Sequence, residues 1–144
     1  MMSVTIIDTN VFLNIVPVNG YDQDKDRIMA ELERRVNARE ELVLPSVVVF
    51  ETGRIISQLP DGGARRLVAG RFCKIVRGSI NGVAPWVPSG DYPLVNVAAW
   101  IDEFVDCATR KKSLVDLSIE KLRDSLSSKT QRRVVIWSND SDVA

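Results

Sequence analysis

Three short runs of apolar, largely β-branched residues divide the chain, and segments with helical spacing lie between them. The runs are Val4–Ile7, residues 42–44 and Val134–Trp137. Runs of this length and composition are typical of buried strands. Because strands that alternate with helices usually form a parallel sheet, the pattern predicts an α/β fold with a short central parallel sheet flanked by helices.

Helices are predicted where apolar residues recur at spacings of three and four. Ser46 and Ser113 are expected to cap two of them, since a serine hydroxyl accepts hydrogen bonds from the free N–H groups of a first turn. The predicted helices are 24–39, 46–58, the basic segment 64–76, 96–109 and a segment that opens at 113. Residues 96–109 are expected to face the core, whereas the glycines and prolines of residues 78–93 predict a loop.

Length and composition predict one domain, residues 1–144. Of these residues 45% are hydrophobic, enough to form a core. There is no apolar run of about 18 residues and no secretion leader, so a cytoplasmic protein is expected. Cys73 and Cys107 suggest neither a disulfide framework nor a zinc site, and both are expected to be buried.

The chain contains no histidine. Its absence excludes Ser/His/Asp triads, Cys/His pairs and imidazole metal ligands, which leaves carboxylates as the groups able to do chemistry. Asp8 follows the first predicted strand, and Asp140 and Asp142 follow the last. Because carboxyl ends of parallel strands share one edge, these acids are expected to meet there. The structural alternatives are an ordinary turn or a helix cap for Asp8, and a polar loop or a frayed C-terminus for the other two.

Glu51 and Asp116 lie on predicted helices beside apolar stripes. An ionised Glu51 on such a face needs a partner or a metal, and the structural alternative is an ion pair with Arg54. Asp116 also fits a capping box with Ser113. Glu120, one turn later, is a possible auxiliary acid. Together these acids would repel one another without a cation, and oxygen ligands favour Mg²⁺ or Mn²⁺ over zinc.

Four segments resemble the motifs of PIN-domain ribonucleases, in the same order and spanning residues 4 to 143. They are IIDTNVF at 6–12, LPSVVVFE at 44–51, SLVDLSI at 113–119 and VVIWSNDSD at 134–142. The length is similar to that of VapC-type toxins of toxin–antitoxin pairs. The resemblance implies a three-layer PIN-like fold. Since the chain has Val143 where those toxins commonly have Phe and stops at Ala144, the final edge strand is expected to be missing.

The resemblance also implies a set of roles. Asp8, Glu51, Asp116 and Asp140 would be catalytic and would hold Mg²⁺ or Mn²⁺, with Asp142 as a further metal ligand. The supporting residues would be Thr9, Asn10, Ser138 and Asn139. The implied partners are an RNA substrate, a cognate antitoxin protein and a second copy of the chain in a homodimer, without a membrane.

RNA contact is a separate question, because 19 basic and 19 acidic residues give zero net charge. If five acids share one cation-binding pocket, 19 minus five leaves 14 acids against 19 bases elsewhere, a surplus that favours phosphate. Trp86, in a proline-rich segment, is the tryptophan most expected to stack on a base, while Trp100 and Trp137 are expected in the core. The candidate phosphate contacts are Arg65, Arg66, Arg71, Arg110, Lys111 and Lys112.

Three other functions fit parts of the pattern. A haloacid-dehalogenase-like phosphatase also has an aspartate after its first strand, but it needs a second acid where this chain has Asn10. A non-catalytic PIN-like interaction module is the main alternative from another class. An RNA-processing or DNA-directed PIN nuclease is the alternative within the nucleases.

Overall fold

A four-stranded parallel sheet forms the centre of the molecule, and the helices flank it. The computed structural model describes residues 2–89 and 94–139. The strand order is β3-β2-β1-β4. The strands are β1 Val4–Ile7, β2 Glu41–Pro45, β3 Trp86–Ser89 and β4 Val134–Trp137. The predicted α/β class with a short parallel sheet is therefore confirmed, and the arrangement is consistent with a three-layer PIN-like fold.

Seven α-helices and one 3₁₀ turn lie in the described residues. They are α1 Thr9–Ile15, α2 Lys25–Asn37, α3 Ser46–Ser57, α4 Gly62–Ile80, α5 Leu94–Val97, the turn Ile101–Glu103, α6 Phe104–Thr109 and α7 Leu114–Thr130. None of these helices is long and apolar enough to cross a membrane.

The core forms around β1, whose four residues are all buried between two neighbouring strands. Phe12 of α1 extends this core toward the far edge of the sheet. Its ring meets Trp86 of β3 edge to face at 6.1 Å and Phe72 of α4 at 6.4 Å. These apolar contacts hold α1 and α4 close to the sheet.

The segment predicted as a loop contains β3 and the end of α4. Trp86 is only 5% exposed and lies in the core, whereas the rest of β3 is more open to solvent. Pro88 has no N–H to donate, and it is tolerated because β3 is the outer strand of the described sheet. Residues 81–85 form turns and bends outside any helix or strand, as predicted, whereas residues 86–89 form an edge strand, and residues 90–93 lie outside the described residues.

The predicted core-facing helix 96–109 is wrong. The chain there is broken into α5, the 3₁₀ turn and α6, and Val105 is 70% exposed. Cys107 is the buried residue of this region within the described residues. Many of its apolar residues are β-branched or aromatic and favour helix only weakly. Helical spacing of apolar residues was therefore not enough to form a continuous helix, because few of these residues are buried.

Two smaller predictions also need correction, and one helix was missed. Ser46 is the first residue of α3 and not its cap, a position taken by Pro45. Cys73 is exposed on α4, while Cys107 is buried as expected. α1 was not predicted, because a seven-residue helix of mainly apolar residues gives no clear spacing signal.

Candidate active site at the carboxyl edge of the sheet

The order of the strands reverses at β1. The chain moves outward from β1 through β2 to β3 and then returns to add β4 on the other side of β1. In parallel α/β sheets, ligands bind beside the carboxyl ends of the strands at such a reversal. Asp8 directly follows β1 and Ser138 directly follows β4, so both lie at this point.

Asp8 is 5% exposed and is fixed by bonds of its own backbone and side chain. Its amide donates to the Trp137 carbonyl of β4 at 3.0 Å. Its carboxylate caps α1 by accepting from the Thr9 amide at 2.7 Å. The predicted position of Asp8 at a strand end is confirmed. Asp8 is also a helix cap, the role that the structural alternative gave it. A buried carboxylate at the start of a helix is stabilised by the free N–H groups there.

The supporting residues predicted around Asp8 are brought together. Asn10 Nδ2 donates to Ser138 Oγ at 3.1 Å, and Asn10 Oδ1 accepts from the Asn139 amide at 3.0 Å. The Thr9 hydroxyl oxygen is buried and has no hydrogen-bond partner within the described residues. A buried hydroxyl beside a carboxylate is a polar atom for which a further partner is expected.

Three residues that the sequence did not single out also bond at this edge. Asn14, on α1, donates to the Asn10 carbonyl at 2.8 Å and accepts from the Asp24 amide at 3.0 Å. Asp24 accepts from Asn139 Nδ2 at 2.9 Å, and Arg27 donates to Asn139 Oδ1 at 2.7 Å. The sequence feature that could have pointed to these bonds is Asn14, a polar residue within the apolar run of α1 and four positions after Asn10.

Glu51 lies on α3, and its carboxylate is paired with Arg54. Two hydrogen bonds join them, Arg54 Nη2 to Glu51 Oε1 at 2.8 Å and Arg54 Nε to Glu51 Oε2 at 3.3 Å. This hydrogen-bonded carboxylate raises the pKa of the Arg54 guanidinium above its usual value. The structural alternative for Glu51 is therefore what the structure shows, and its metal role stays a prediction.

Asp116 and Glu120 lie near the start of α7. Ser113 caps this helix as predicted, because its hydroxyl accepts from the Asp116 amide at 3.0 Å. The Glu120 carboxylate forms an ion pair with Lys112. Lys112, a predicted phosphate contact, is therefore engaged with an acid of its own chain.

The predicted convergence of the acids is not seen in the part of the chain that the structure describes. Residues 2–89 and 94–139 contain no group of three or more Asp, Glu, Cys or His residues able to hold a metal ion. α3, which carries Glu51, does pack against both α1, which Asp8 caps, and α7, which carries Asp116. Asp140 and Asp142 lie outside the described residues.

At this edge, the described side-chain atoms that could bind a metal ion are carboxylate, hydroxyl and amide oxygens. Asp8 supplies a buried carboxylate, and the Thr9 hydroxyl is the buried oxygen without a described partner. Hard oxygen donors of this kind fit Mg²⁺ or Mn²⁺. Asp8 and the oxygens around it therefore fit such a cation. Glu51 would first have to exchange its bond with Arg54 for a bond with the cation.

The predicted RNA contacts have mixed surroundings. Arg66 and Lys111 are exposed. Arg65 donates to the Leu59 carbonyl at 2.5 Å and Arg71 to the Pro17 carbonyl at 3.3 Å, so both contribute to packing between segments. Arg110 contacts the sulfur of buried Cys107 at 3.9 Å.

The expectation for Trp86 as a base-stacking residue is wrong, because its ring is buried against Phe12. Trp137 is in the core as predicted, and Trp100 is only partly buried.

No protein-family model, curated protein or solved structure matches this chain.

Proposed function

We propose that the protein is a metal-dependent endoribonuclease of the PIN type, acting as the toxin of a type II toxin–antitoxin pair. The observation that carries the proposal is the buried carboxylate of Asp8 at the reversal of strand order, with Asn10, Ser138 and Asn139 bonded beside it. Burying a carboxylate is costly, and ligands of parallel α/β sheets bind at such a reversal of strand order.

Asp8, Glu51, Asp116 and Asp140 would hold Mg²⁺ or Mn²⁺, with Asp142 as an additional ligand. The bound ion would lower the pKa of a water molecule and offset charge on the phosphodiester. The chain's own contribution is to hold Asp8 rigidly, through its strand-end amide and its role as helix cap. Asn10 keeps the end of β4 beside it.

The decisive experiment compares wild type with Asp8→Asn on a mixed RNA pool in Mg²⁺, Mn²⁺ or EDTA. Asparagine caps a helix about as well as aspartate, so this variant should keep the fold while losing the charge. We expect cleavage that EDTA stops and that Asp8→Asn loses. Asp26→Asn, an exposed acid on α2, is the matched control and should cleave like wild type. Equal cleavage by Asp8→Asn, or cleavage insensitive to EDTA, would refute the proposal.

The second candidate is a non-catalytic PIN-like interaction module. It is favoured by the two acids that already have cationic partners in the chain, Glu51 with Arg54 and Glu120 with Lys112. A Mn²⁺ titration separates the two candidates, because a module without a working site should bind no ion at Asp8. A gene for a small DNA-binding protein beside this one would support the toxin assignment.

A further inference from the structure

Four residues at the carboxyl edge close a ring of hydrogen bonds. Asn14 bonds the Asn10 carbonyl at 2.8 Å and the Asp24 amide at 3.0 Å. The Asp24 carboxylate accepts from Asn139 Nδ2 at 2.9 Å, and the Asn139 amide returns to Asn10 Oδ1 at 3.0 Å. The ring therefore joins α1, the residue that precedes α2 and the end of β4.

Burial makes this ring more than a surface contact. Asn14 is 2% exposed and lies between apolar residues of α1. A buried amide without partners would destabilise the fold, and here both of its ends are bonded within the ring. Arg27 braces the outer side, since its Nη2 lies 2.7 Å from Asn139 Oδ1 and 3.4 Å from Asp24 Oδ2.

We propose that Asn14 and Asp24 are positioning residues for the carboxyl-edge site. They hold Asn10 and Asn139 together, and so keep the first turn of α1, with Asp8 at its start, in fixed register with β4. In this role the Asp24 carboxylate is a hydrogen-bond acceptor for Asn139 and not a metal ligand. The part of the inference that concerns metal rests on the proposed function.

Calorimetric titration of the full chain with Mn²⁺ alone tests the role of Asp24. Asp24→Ala removes the acceptor and should weaken Mn²⁺ binding by about tenfold, the lower end of the effect of residues that orient metal ligands. Asp24→Asn keeps an oxygen that accepts from Asn139, so its affinity should stay close to wild type. Asp26→Ala is the matched control and should bind like wild type. Equal losses in Asp24→Asn and Asp24→Ala, or no loss in Asp24→Ala, would overturn the assignment.

Hydrogen exchange at the Asn139 amide tests the ring without metal or activity. This amide donates to Asn10 Oδ1, so it should exchange faster in Asp24→Ala than in wild type, Asp24→Asn or Asp26→Ala. Thermal unfolding of each variant shows whether the fold as a whole is affected. Unchanged exchange in Asp24→Ala would refute the positioning role. If wild type binds no Mn²⁺, the proposed function fails, and the exchange rates alone decide whether the ring positions this edge.

Discussion

The hydrogen bond between Trp86 and Ser79 attaches the edge strand β3 to α4. Trp86 Nε1 donates to Ser79 Oγ at 2.5 Å, and the two residues are 5% and 4% exposed. Ser79→Ala removes the acceptor and leaves the indole N–H buried without a partner in the described structure. We expect the free energy of unfolding to fall by about 1–3 kcal/mol, the cost of an unsatisfied buried donor.

Other effects of this substitution are small by comparison. A single oxygen is removed, so the cavity left behind is minor. The hydroxyl also donates to the Ile75 carbonyl at 3.2 Å, a group within the same helix. Since alanine favours helix at least as well as serine, helix propensity works against the predicted loss and does not cause it.

Urea unfolding followed by far-UV circular dichroism measures the effect without relying on tryptophan fluorescence. Trp86→Phe removes the donor, so the loss in the double variant with Ser79→Ala should be smaller than the sum of the single losses. Ser57→Ala is the matched control, because its exposed hydroxyl bonds the Arg54 carbonyl on the surface, and it should change stability by less than about 0.5 kcal/mol. A Ser79→Ala variant as stable as this control, or strictly additive losses, would refute the reasoning.

Two further predictions follow from ion pairs. Arg54→Gln frees the carboxylate of Glu51, so under the proposed function it should strengthen Mn²⁺ binding by roughly two- to fivefold, consistent with the modest strength of exposed pairs. Arg66→Gln is the control, and a calorimetric titration that gives both variants the same Mn²⁺ affinity would contradict the prediction. Arg34 holds the pKa of Glu31 below its usual value of 4.5, so this carboxylate adds stability above that pH and the contribution is lost as pH falls through the lower, folded-state pKa. Glu31→Gln should therefore flatten the acid side of the stability–pH curve measured by thermal unfolding, and an unchanged slope would count against the pairing.

The sheet was predictable where burial left a mark in the sequence. β1 and β2 read as apolar runs because most of their side chains are buried, as expected for the inner strands of a parallel sheet. β4 carries a similar run at an edge. β3 left no such mark, since Trp86 is its single buried residue and Pro88 interrupts it. An edge strand that buries so little resembles a loop in sequence.

Periodicity was a reliable guide to α2 and α7 and a poor one to residues 96–109. In α7 the apolar residues at helical spacing include Ile119 and Leu122, which are buried. In 96–109 the same spacing occurs, but Val105 is exposed. Spacing shows which residues would share a helical face, whereas burial depends on whether the rest of the chain covers that face.

The position of the site at the ends of the strands was predictable, whereas the hydrogen-bond partners on α1 and before α2 were not. Asp8 and Ser138 were placed correctly because each follows an apolar run. Asp24 belongs to no spacing pattern, since its bond with Asn14 depends on how α1 approaches α2. The ion pair of Glu51 was foreseeable because its partner is three positions later on the same helix.

Asp8 and Glu51 differ in how firmly their carboxylates are held, and this difference orders their expected contributions to metal binding and cleavage. Asp8 is buried and bonded to its own helix, whereas Glu51 is shared with a half-exposed arginine. An exposed ion pair is weak and screened by salt, so exchanging it for a metal ion costs little. Under the proposed function, Asp8→Asn should abolish RNA cleavage, while Glu51→Gln should leave a measurable rate and weaken Mn²⁺ binding by a smaller factor. Cleavage that survives in Asp8→Asn but disappears in Glu51→Gln would mean that the reacting phosphodiester lies beside α3 and not at the end of β1.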